Sequence, residues 1–393
     1  MLKFIKLIQF DKKCDKLLKY ATYFLMAFGF LMIVSTTMGK DADSINNLLF
    51  AIFKQLVFTI FGYILMVLFQ KYYKFIIPEL TSKYLMLFTL GSLIIPRFFN
   101  DINGAYAWIP LPFGFTLQPA EFAKIMIIII MSNYFSVLGD NKVKNTYISQ
   151  LYLIFVSSCI LIVVFIQNDF GSAFVMTLIA LMCFLTGSHK FTNKYQRILL
   201  RVICAGVIII IILLSPLGIS LFEGLAETNY RFRRLLVSMN PFKYQYDWGY
   251  QIVQGLTAIA TGGMFGVGFG GSLLKYGNFP ETNTDFILAI IMEELGFVFG
   301  FLPIFIAYMF IYYRLIKYVL IINDKRSKII LMGVLTYFLS HFILNIGGVT
   351  SLIPLTGVPL LLISSGGSSA MSCLIAIGLA QSMIIKYKKG IIK

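Results

Sequence analysis

Long apolar runs separated by short polar loops dominate the chain, and their lengths predict membrane-spanning helices. Such runs approach the roughly 20 residues that an α-helix needs to cross a bilayer. A membrane β-barrel would instead alternate apolar and polar positions. We therefore expect an all-α polytopic membrane protein, with one integral membrane domain over residues 1–393. The ten predicted transmembrane helices cover approximately 20–38, 47–69, 84–98, 120–138, 149–166, 170–187, 199–217, 286–313, 329–347 and 358–385.

Positive charges collect in alternate loops, which predicts the orientation of the chain. The loops on one side carry 24 Lys and Arg residues, and those on the other side carry 7. Because cytoplasmic loops are enriched in Lys and Arg, both termini are expected in the cytoplasm and the large loop 218–284, between helices 7 and 8, outside. The hydrophobic fraction of 59% and the mean hydropathy of +0.84 agree with a multi-pass membrane protein. The net charge of +16 resides in these loops, so we expect contact with membrane lipids and none with nucleic acid.

Ionisable residues near the outer ends of the predicted helices are the first candidates for chemistry. Glu121 and Lys124 lie three residues apart, which places them on one face of a helix. A salt bridge or a snorkelling lysine is the simpler interpretation of this pair. Asp169 occupies a tight turn between two spans, where a turn-former or an N-cap would also be expected. Ionisable groups at membrane spans nevertheless point to function.

The segment 249–300 changes from a polar, glycine-rich stretch to an apolar helix at Asp285. Asp285, or the threonine before it, could simply cap that helix. Glu293 and Glu294 follow inside the apolar part, where acids are costly unless they face a polar interior or a partner. Gly266 begins a G-x-G-x-x-G pattern, but no βαβ unit surrounds it. The glycines are better explained by close approach of the backbone to a ligand or by a re-entrant segment.

The outer segments hold further polar residues. Arg231, Arg233 and Arg234 lie on the side that is poor in cations. Anionic lipid headgroups could compensate them, and a phosphate-bearing ligand is the sharper alternative because guanidinium groups fit phosphate oxygens. His341 stands alone in the ninth span and is interpreted as a satisfied core histidine. Prolines and glycines interrupt the chain over 354–367, which predicts a polar cavity that opens outward.

Four ordered sequence blocks resemble the SEDS family of bacterial membrane proteins, which includes FtsW, RodA and SpoVE. The blocks are NGAYAWIPL…LQPAEFAK, IQNDFGSA, NTDFILAIIMEELGF and PLTGVPLLLISSGGSS. The similarity covers nearly the whole chain, and the block GVGFGGSLLK is most like the FtsW and SpoVE branch. Departures from the family pattern occur at Ala107, Asn168, Leu361 and Ser365, and they concern details of the outer cavity.

The resemblance implies a peptidoglycan glycosyltransferase that polymerises lipid II, an undecaprenyl-diphosphate-linked disaccharide peptide, in cell division (FtsW-like) or cell elongation (RodA-like). It implies an essential role for Asp285, together with Glu121 and Lys124. It also implies a class B penicillin-binding protein transpeptidase as partner. A base must activate the attacking hydroxyl and cations must stabilise the departing diphosphate, and Asp285 is the expected base. The expected substrate-binding residues are Asp169, Arg231, Arg233, Arg234, Lys275, Glu293, Glu294 and Ser368.

Three points stay open at the level of sequence. The carboxylates permit a divalent cation such as Mg²⁺ or Mn²⁺, but no residue spacing demands one. A flippase or transporter for lipid-linked precursors would also have many spans, broken helices and interior carboxylates. A non-catalytic scaffold that recruits a transpeptidase is the other alternative.

Overall fold

The computed structural model describes residues 9–40, 45–73, 79–102, 104–112, 114–139, 146–187, 192–213, 230–277 and 279–393. Helices dominate these residues, and the longer ones are apolar along most of their length, as the hydropathy pattern predicts. The α-helices, labelled in chain order, are α1 (Lys16–Lys40), α2 (Ile45–Tyr72), α3 (Glu79–Ile94), α4 (Pro119–Gly139), α5 (Thr146–Phe165), α6 (Phe170–Thr186), α7 (Asn193–Leu213), α8 (Tyr230–Met239), α9 (Tyr250–Gly262), α10 (Ile287–Gly296), α11 (Leu302–Ile321), α12 (Lys325–Val349) and α13 (Gly367–Lys388).

Several of these helices are suited to a bilayer. Within the described ranges, five helical stretches are long and apolar enough to cross a membrane, namely Lys16–Gly39, Leu48–Tyr72, Ile287–Ile321, Lys325–Val349 and Gly367–Lys388. A helix satisfies its own backbone hydrogen bonds, which is what a spanning segment requires in lipid. The prediction of an all-α polytopic membrane protein is therefore confirmed, whereas the count of ten spans stays a prediction.

The centre of the bundle is formed by α12 and α13. Almost every residue of α13 is buried, and this helix packs along α2. The neighbouring α12 packs against α4, α6 and α11. The outer faces of α1 and α2 expose apolar side chains such as Phe24, Leu31, Phe53 and Phe61, which suits contact with lipid. Polar groups buried near the centre consequently have only protein partners or a cavity to face.

Two irregular segments lie on the side that is predicted to face outward. A short antiparallel pair, β1 (Ile109–Pro110) with β2 (Thr116–Leu117), leads directly into α4. The predicted tenth span is wrong at its start, because α13 begins at Gly367 and the preceding loop 354–366 has no regular helix. The prolines in this loop lack the N–H that a helix needs, so they keep its backbone irregular.

The predicted outer loop 218–284 is largely structured where it is described. It contains α8 and α9, and residues 214–229 lie outside the described part of the chain. After α9 the chain returns to the bundle and enters the helical stretch of α10 and α11. A π-helical turn, Phe297–Phe301, lies between these two helices. This irregularity lies within the candidate membrane span Ile287–Ile321.

Candidate active site

A cavity of about 900 Å³ lies between α4, the start of α6, the turn before α10 and the loop 354–366. Its volume falls within the range of small-molecule sites in proteins. Five of the predicted site residues line it, namely Glu121, Lys124, Asp169, Asp285 and Ser368. These residues come from four separate regions of the sequence, and only the tertiary fold brings them together.

Glu121 and Lys124 form a buried ion pair on the first turns of α4. Lys124 Nζ lies 2.7 Å from Glu121 Oε1, and each side chain is 1% exposed. The Tyr337 hydroxyl donates to Glu121 Oε2 at 3.1 Å, and His341 Nε2 lies 3.2 Å from Lys124 Nζ. A buried pair of charges is tolerated when further hydrogen bonds satisfy both partners. The predicted salt bridge is therefore present, and the same pair faces the cavity.

Asp285 lies in the turn that precedes α10, and its half-buried side chain lines the cavity. The N-cap interpretation is wrong for this residue. The helix begins at Ile287, and the cap position is Phe286, which makes no capping bond through its side chain. The alternative cap, Thr284, donates its hydroxyl to Glu281 Oε2 at 2.6 Å. The position of Asp285 is thus explained by the cavity and not by helix capping.

Asp169 both caps α6 and lines the cavity. Its Oδ1 accepts from the amide of Ser172 at 2.9 Å, which confirms the N-cap prediction for α6. Its Oδ2 accepts from the side-chain amide of Gln118 at 2.9 Å, while the backbone amide of Gln118 donates to Ser368 Oγ at 2.8 Å. Gln118 therefore joins three parts of the cavity wall. The neighbouring Asn168 has φ +56°, which asparagine tolerates and which a proline ring could not adopt.

The glycine-rich loop, residues 262–277, packs against the break between α10 and α11. The amides of Val267 and Gly268 donate to the carbonyls of Glu293 and Glu294, each at 2.9 Å. The amides of Phe297 and Val298, at the start of the break, donate to loop carbonyls at 3.0 Å. Backbone groups that a helix irregularity exposes must find partners where water is scarce. The loop supplies those partners.

This close contact explains the glycine pattern. Gly266 has φ +78°, and a Cβ on it would overlap the carbonyl of Glu294. A Cβ on Gly262 would overlap the carbonyl oxygen of Met292. The backbone does approach closely here, but the expected ligand is wrong as the reason, because the glycines pack against the backbone of α10.

Three residues expected to bind substrate lie outside the described lining of the cavity. Lys275 Nζ lies 2.7 Å from Glu294 Oε1, and both side chains are 0% exposed. Ser35 Oγ on α1 donates to both oxygens of Glu294, at 2.8 and 2.7 Å. Glu293 Oε2 accepts from Ser272 Oγ at 2.5 Å. Both acids therefore have protein partners. The contacts of Lys275, Glu293 and Glu294 fasten the glycine-rich loop to the bundle.

The three arginines lie on α8. The Arg233 guanidinium lies 4.2 Å from the centre of the Trp248 ring, a cation–π contact, and Arg233 is not among the described residues that line the cavity. The side chains of Arg231 and Arg234 lie outside the described part of the structure. A phosphate-binding role for these arginines stays a prediction.

Three buried side chains of α12 belong to the site but were not predicted as site residues. His341 is buried and hydrogen-bonded, as expected of a core histidine, but one of its contacts is Lys124. Tyr337 contacts Glu121, and Asn345 contacts the backbone of Asp285. Positions 337, 341 and 345 recur every four residues, so they share one helix face. This polar stripe in an apolar span is the signal that could have identified them.

A metal site built from protein ligands alone is not found among the residues that the structure describes. No group of three or more His, Cys, Asp or Glu side chains there could hold an ion. Asp169, Glu281 and Asp285 do line the same cavity. Mg²⁺ is commonly held by one or two carboxylates together with substrate phosphates. The expected divalent cation therefore stays a prediction.

Comparisons with known proteins identify the family. A family model described as "Cell cycle protein", which groups FtsW, RodA and SpoVE, matches residues 15–389. The probable peptidoglycan glycosyltransferase FtsW of Bacillus subtilis (strain 168) is 32% identical, over 96% of this chain and 93% of the relative. Stage V sporulation protein E of the same organism is 30% identical, over 93% of this chain and 95% of the relative.

The fold agrees with that assignment. A chain from a solved peptidoglycan synthase complex, described as coordinating polymerization and crosslinking, superposes with a TM-score of 0.66. It is 20% identical, and the match covers 96% of this chain and 98% of the other. At that identity the likeness concerns the fold alone. The resemblance to FtsW and SpoVE that the four sequence blocks indicated is confirmed, and this chain belongs to the FtsW/RodA/SpoVE family.

Proposed function

We propose that this protein is a peptidoglycan glycosyltransferase that polymerises lipid II at the outer face of the bacterial cytoplasmic membrane. One observation carries the proposal: the carboxylate of Asp285 and the buried ammonium of Lys124 line the same cavity. A base and a cation that face one cavity are what transfer from a sugar diphosphate to a hydroxyl requires. The relatives named peptidoglycan glycosyltransferase support the same activity.

The reaction is a displacement at the anomeric carbon of the donor sugar. The oxygen of the acceptor hydroxyl bonds to that carbon, and the bond from the carbon to the diphosphate oxygen breaks. The bonding electron pair leaves with the diphosphate, which is a good leaving group and needs no general acid. Asp285 accepts the proton of the attacking hydroxyl, and the proton then passes to water.

Lys124 stabilises the negative charge that develops on the departing diphosphate. It is the one basic side chain among the described residues that line the cavity. Its Nζ carries three N–H groups, and Glu121 and His341 are partners for two of them. Glu121 holds the ammonium in place through the buried ion pair at 2.7 Å. Arg231, Arg233 and Arg234 are proposed as further diphosphate partners during substrate entry.

The cavity wall suits a substrate with a long lipid tail. Ile160 and Val164 of α5 and Phe174 of α6 line it, and Phe174 is 50% exposed on the apolar surface. We place the polyprenyl chain along this side, with the diphosphate and sugars in the polar part near Asp285. The proposed topology has ten spans in one domain and both termini in the cytoplasm, supported by the charge bias of the loops. The cavity then opens to the outer leaflet.

The proposed partner is a class B penicillin-binding protein, which would crosslink the strands that this protein makes. The structurally similar chain comes from a peptidoglycan synthase complex that coordinates polymerization and crosslinking. Relatives named FtsW and SpoVE favour a role in division or sporulation over one in elongation. We also propose a divalent cation, which Asp169, Glu281 or Asp285 would hold and which would help to neutralise the charge of the substrate diphosphate.

The decisive experiment measures glycan polymer from purified full-length protein and lipid II, in detergent and in the presence of the partner transpeptidase. Asp285→Asn is expected to lower the rate by about 10²- to 10⁴-fold, because it removes the base and keeps the size of the side chain. Asp247→Asn is the matched control, since Asp247 is exposed and lies outside the cavity lining. Its rate is expected to equal that of the wild type.

The same assay separates the alternatives. A flippase would make no polymer in detergent, where no membrane separates two compartments. A scaffold would make none either, and Asp285→Asn would leave its activation of the transpeptidase intact. Polymer formation by Asp285→Asn at the wild-type rate would contradict the assignment of the base.

A further inference from the structure

Two polar side chains of α12 hold adjacent carbonyls of the loop 354–366. His341 Nδ1 lies 3.0 Å from the carbonyl oxygen of Pro359, and Asn345 Nδ2 donates to that of Val358 at 3.0 Å. The two side chains are one helical turn apart and share a face. They are 0% and 3% exposed, so water does not compete for these bonds. The loop is thereby fixed to α12 through its backbone.

The same side chains also contact the two residues that carry the reactive groups. His341 Nε2 lies 3.2 Å from Lys124 Nζ, and Asn345 Nδ2 donates to the carbonyl oxygen of Asp285 at 3.0 Å. A carbonyl oxygen can only accept, so Nδ1 of His341 carries a proton. Nε2 then offers its lone pair to the ammonium of Lys124, and the imidazole is neutral. One helix face therefore contacts the backbone of Asp285 and the ammonium of Lys124.

The turn that carries Asp285 is bonded to the loop 354–366 at two further points. Ser364 Oγ donates to the carbonyl of Thr284 at 2.7 Å, and the amide of Ser365 donates to the carbonyl of Asn283 at 2.8 Å. Together with the bond from Asn345, three successive carbonyls of the turn are held. The turn that carries Asp285 is therefore fixed to the loop and to α12.

We propose that His341 and Asn345 are positioning residues that fix the distance and orientation of Asp285 relative to Lys124 across the cavity. We term this positioning registration. The proposal rests on the proposed function, in which these two groups act as base and as diphosphate partner. His341 and Asn345 act through Lys124, through the backbone of Asp285 and through the loop. A misplacement of about 1 Å between reacting groups can cost roughly 100-fold in rate. Their loss should therefore lower kcat and leave KM nearly unchanged.

The variants separate registration from simple packing. His341→Phe keeps a ring against Tyr337, whose centroid lies 4.8 Å away, but removes both ring nitrogens. His341→Gln restores a donor for the loop carbonyl and an acceptor for Lys124. Asn345→Leu keeps the volume and removes the donor. Ser340→Ala is the matched control, because Ser340 is also buried on α12 but bonds only to a carbonyl of its own helix in the contacts described.

Kinetics of lipid II polymerisation by the full-length protein give the first test. His341→Phe and Asn345→Leu are each expected to lower kcat by about 100-fold while KM changes by less than about threefold. His341→Gln should recover most of kcat, and Ser340→Ala should equal the wild type. The double variant His341→Phe/Asn345→Leu should lose little more of kcat than either single variant, since both side chains hold the same loop. Unchanged kcat, a loss confined to KM, or fully additive losses would overturn the proposal.

Hydrogen exchange gives a second test that does not require activity. In Asn345→Leu, the amides of Leu360 and Ser365 and the segment 283–287 should exchange faster, with the thermal midpoint within a few degrees of the wild type. His341→Gln serves as a folded comparison if His341→Phe is unstable. If the wild type makes no polymer but exchange responds as expected, the proposed function fails and the registration stands. Unaltered exchange in these segments would refute the registration, whatever the activity.

Discussion

Replacing Lys275 by methionine should release the glycine-rich loop from the helix break that it covers. Lys275 is 2% exposed, and its ammonium lies 2.7 Å from Glu294 and 3.0 Å from Ser35 Oγ. The substitution keeps an unbranched apolar side chain of similar length and removes the charge. Glu294 then remains buried without its cation, so the perturbation is electrostatic and not a loss of volume.

The expected cost follows from the burial of the pair. Removing one partner of a buried ion pair destabilises a protein by about 3–5 kcal/mol, because the other charge is left uncompensated. That energy corresponds to a factor of roughly 10² to 5 × 10³ in a local opening equilibrium. Replacing both partners, Lys275→Met with Glu294→Leu, should recover most of the loss, since no unpaired charge remains.

Hydrogen exchange followed by mass spectrometry is the assay, read at the amides of Val267 and Gly268. These amides donate to the carbonyls of Glu293 and Glu294, so their protection reports whether the loop is docked. Exchange there should accelerate by about 10²- to 5 × 10³-fold in Lys275→Met, while amides in α13 keep their protection. Because the loop leads into the turn that carries Asp285, the polymerisation rate should fall as well.

Lys243→Met is the matched control. Lys243 belongs to the same outer segment but is exposed, with its Nζ 5.6 Å from the centre of the Tyr244 ring. The amides of Val267 and Gly268 should exchange in Lys243→Met at the wild-type rate. Unchanged protection in Lys275→Met, or a double variant that opens more than the single one, would refute the electrostatic argument.

Two further predictions concern pH and metal. Burial alone would raise the pKa of Asp15, but hydrogen bonds from Arg314, the Leu18 amide and Tyr318 lower it below the usual 3.8. The carboxylate therefore contributes stability above its ordinary pKa that is lost as the pH falls through the lowered value. Thermal unfolding measured below about pH 4 should show this loss of stability in the wild type. A similar loss in Asp15→Asn, which lacks the carboxylate, would contradict the assignment to Asp15. Removal of divalent cations with EDTA should lower polymer formation, with recovery on addition of Mg²⁺ or Mn²⁺; an unaltered rate would contradict the proposed cation.

Much of the site was predictable because some signals are local. The spacing of Glu121 and Lys124 places them on one face of a helix whatever surrounds it. Asp169 sits where a helix must begin, and its side chain caps that helix. Asp285 was identified by the resemblance of its sequence block to the SEDS family. Each of these inferences needs only neighbouring residues or a continuous motif.

The errors share a different cause. Glu293 and Glu294 were expected at the substrate, yet their partners are Ser272, Lys275 and, from a distant helix, Ser35. His341 was considered isolated because Lys124 lies 217 positions away in the sequence. An acid in an apolar helix must find a partner, but its own sequence does not say which one.

The sequence by itself determined that the chain is helical, that it belongs in a membrane and which of its loops carry the positive charge, since these follow from run length and composition. It also determined the family, through motifs that are continuous along the chain. The tertiary structure alone decided which helix faces meet, and so which polar groups face the cavity and which are sealed against each other. The physical reason is that an apolar helix face has the same sequence pattern whether it contacts lipid or another helix. A buried hydrogen bond between distant segments, in turn, forms only when the fold brings its donor and acceptor within about 3 Å.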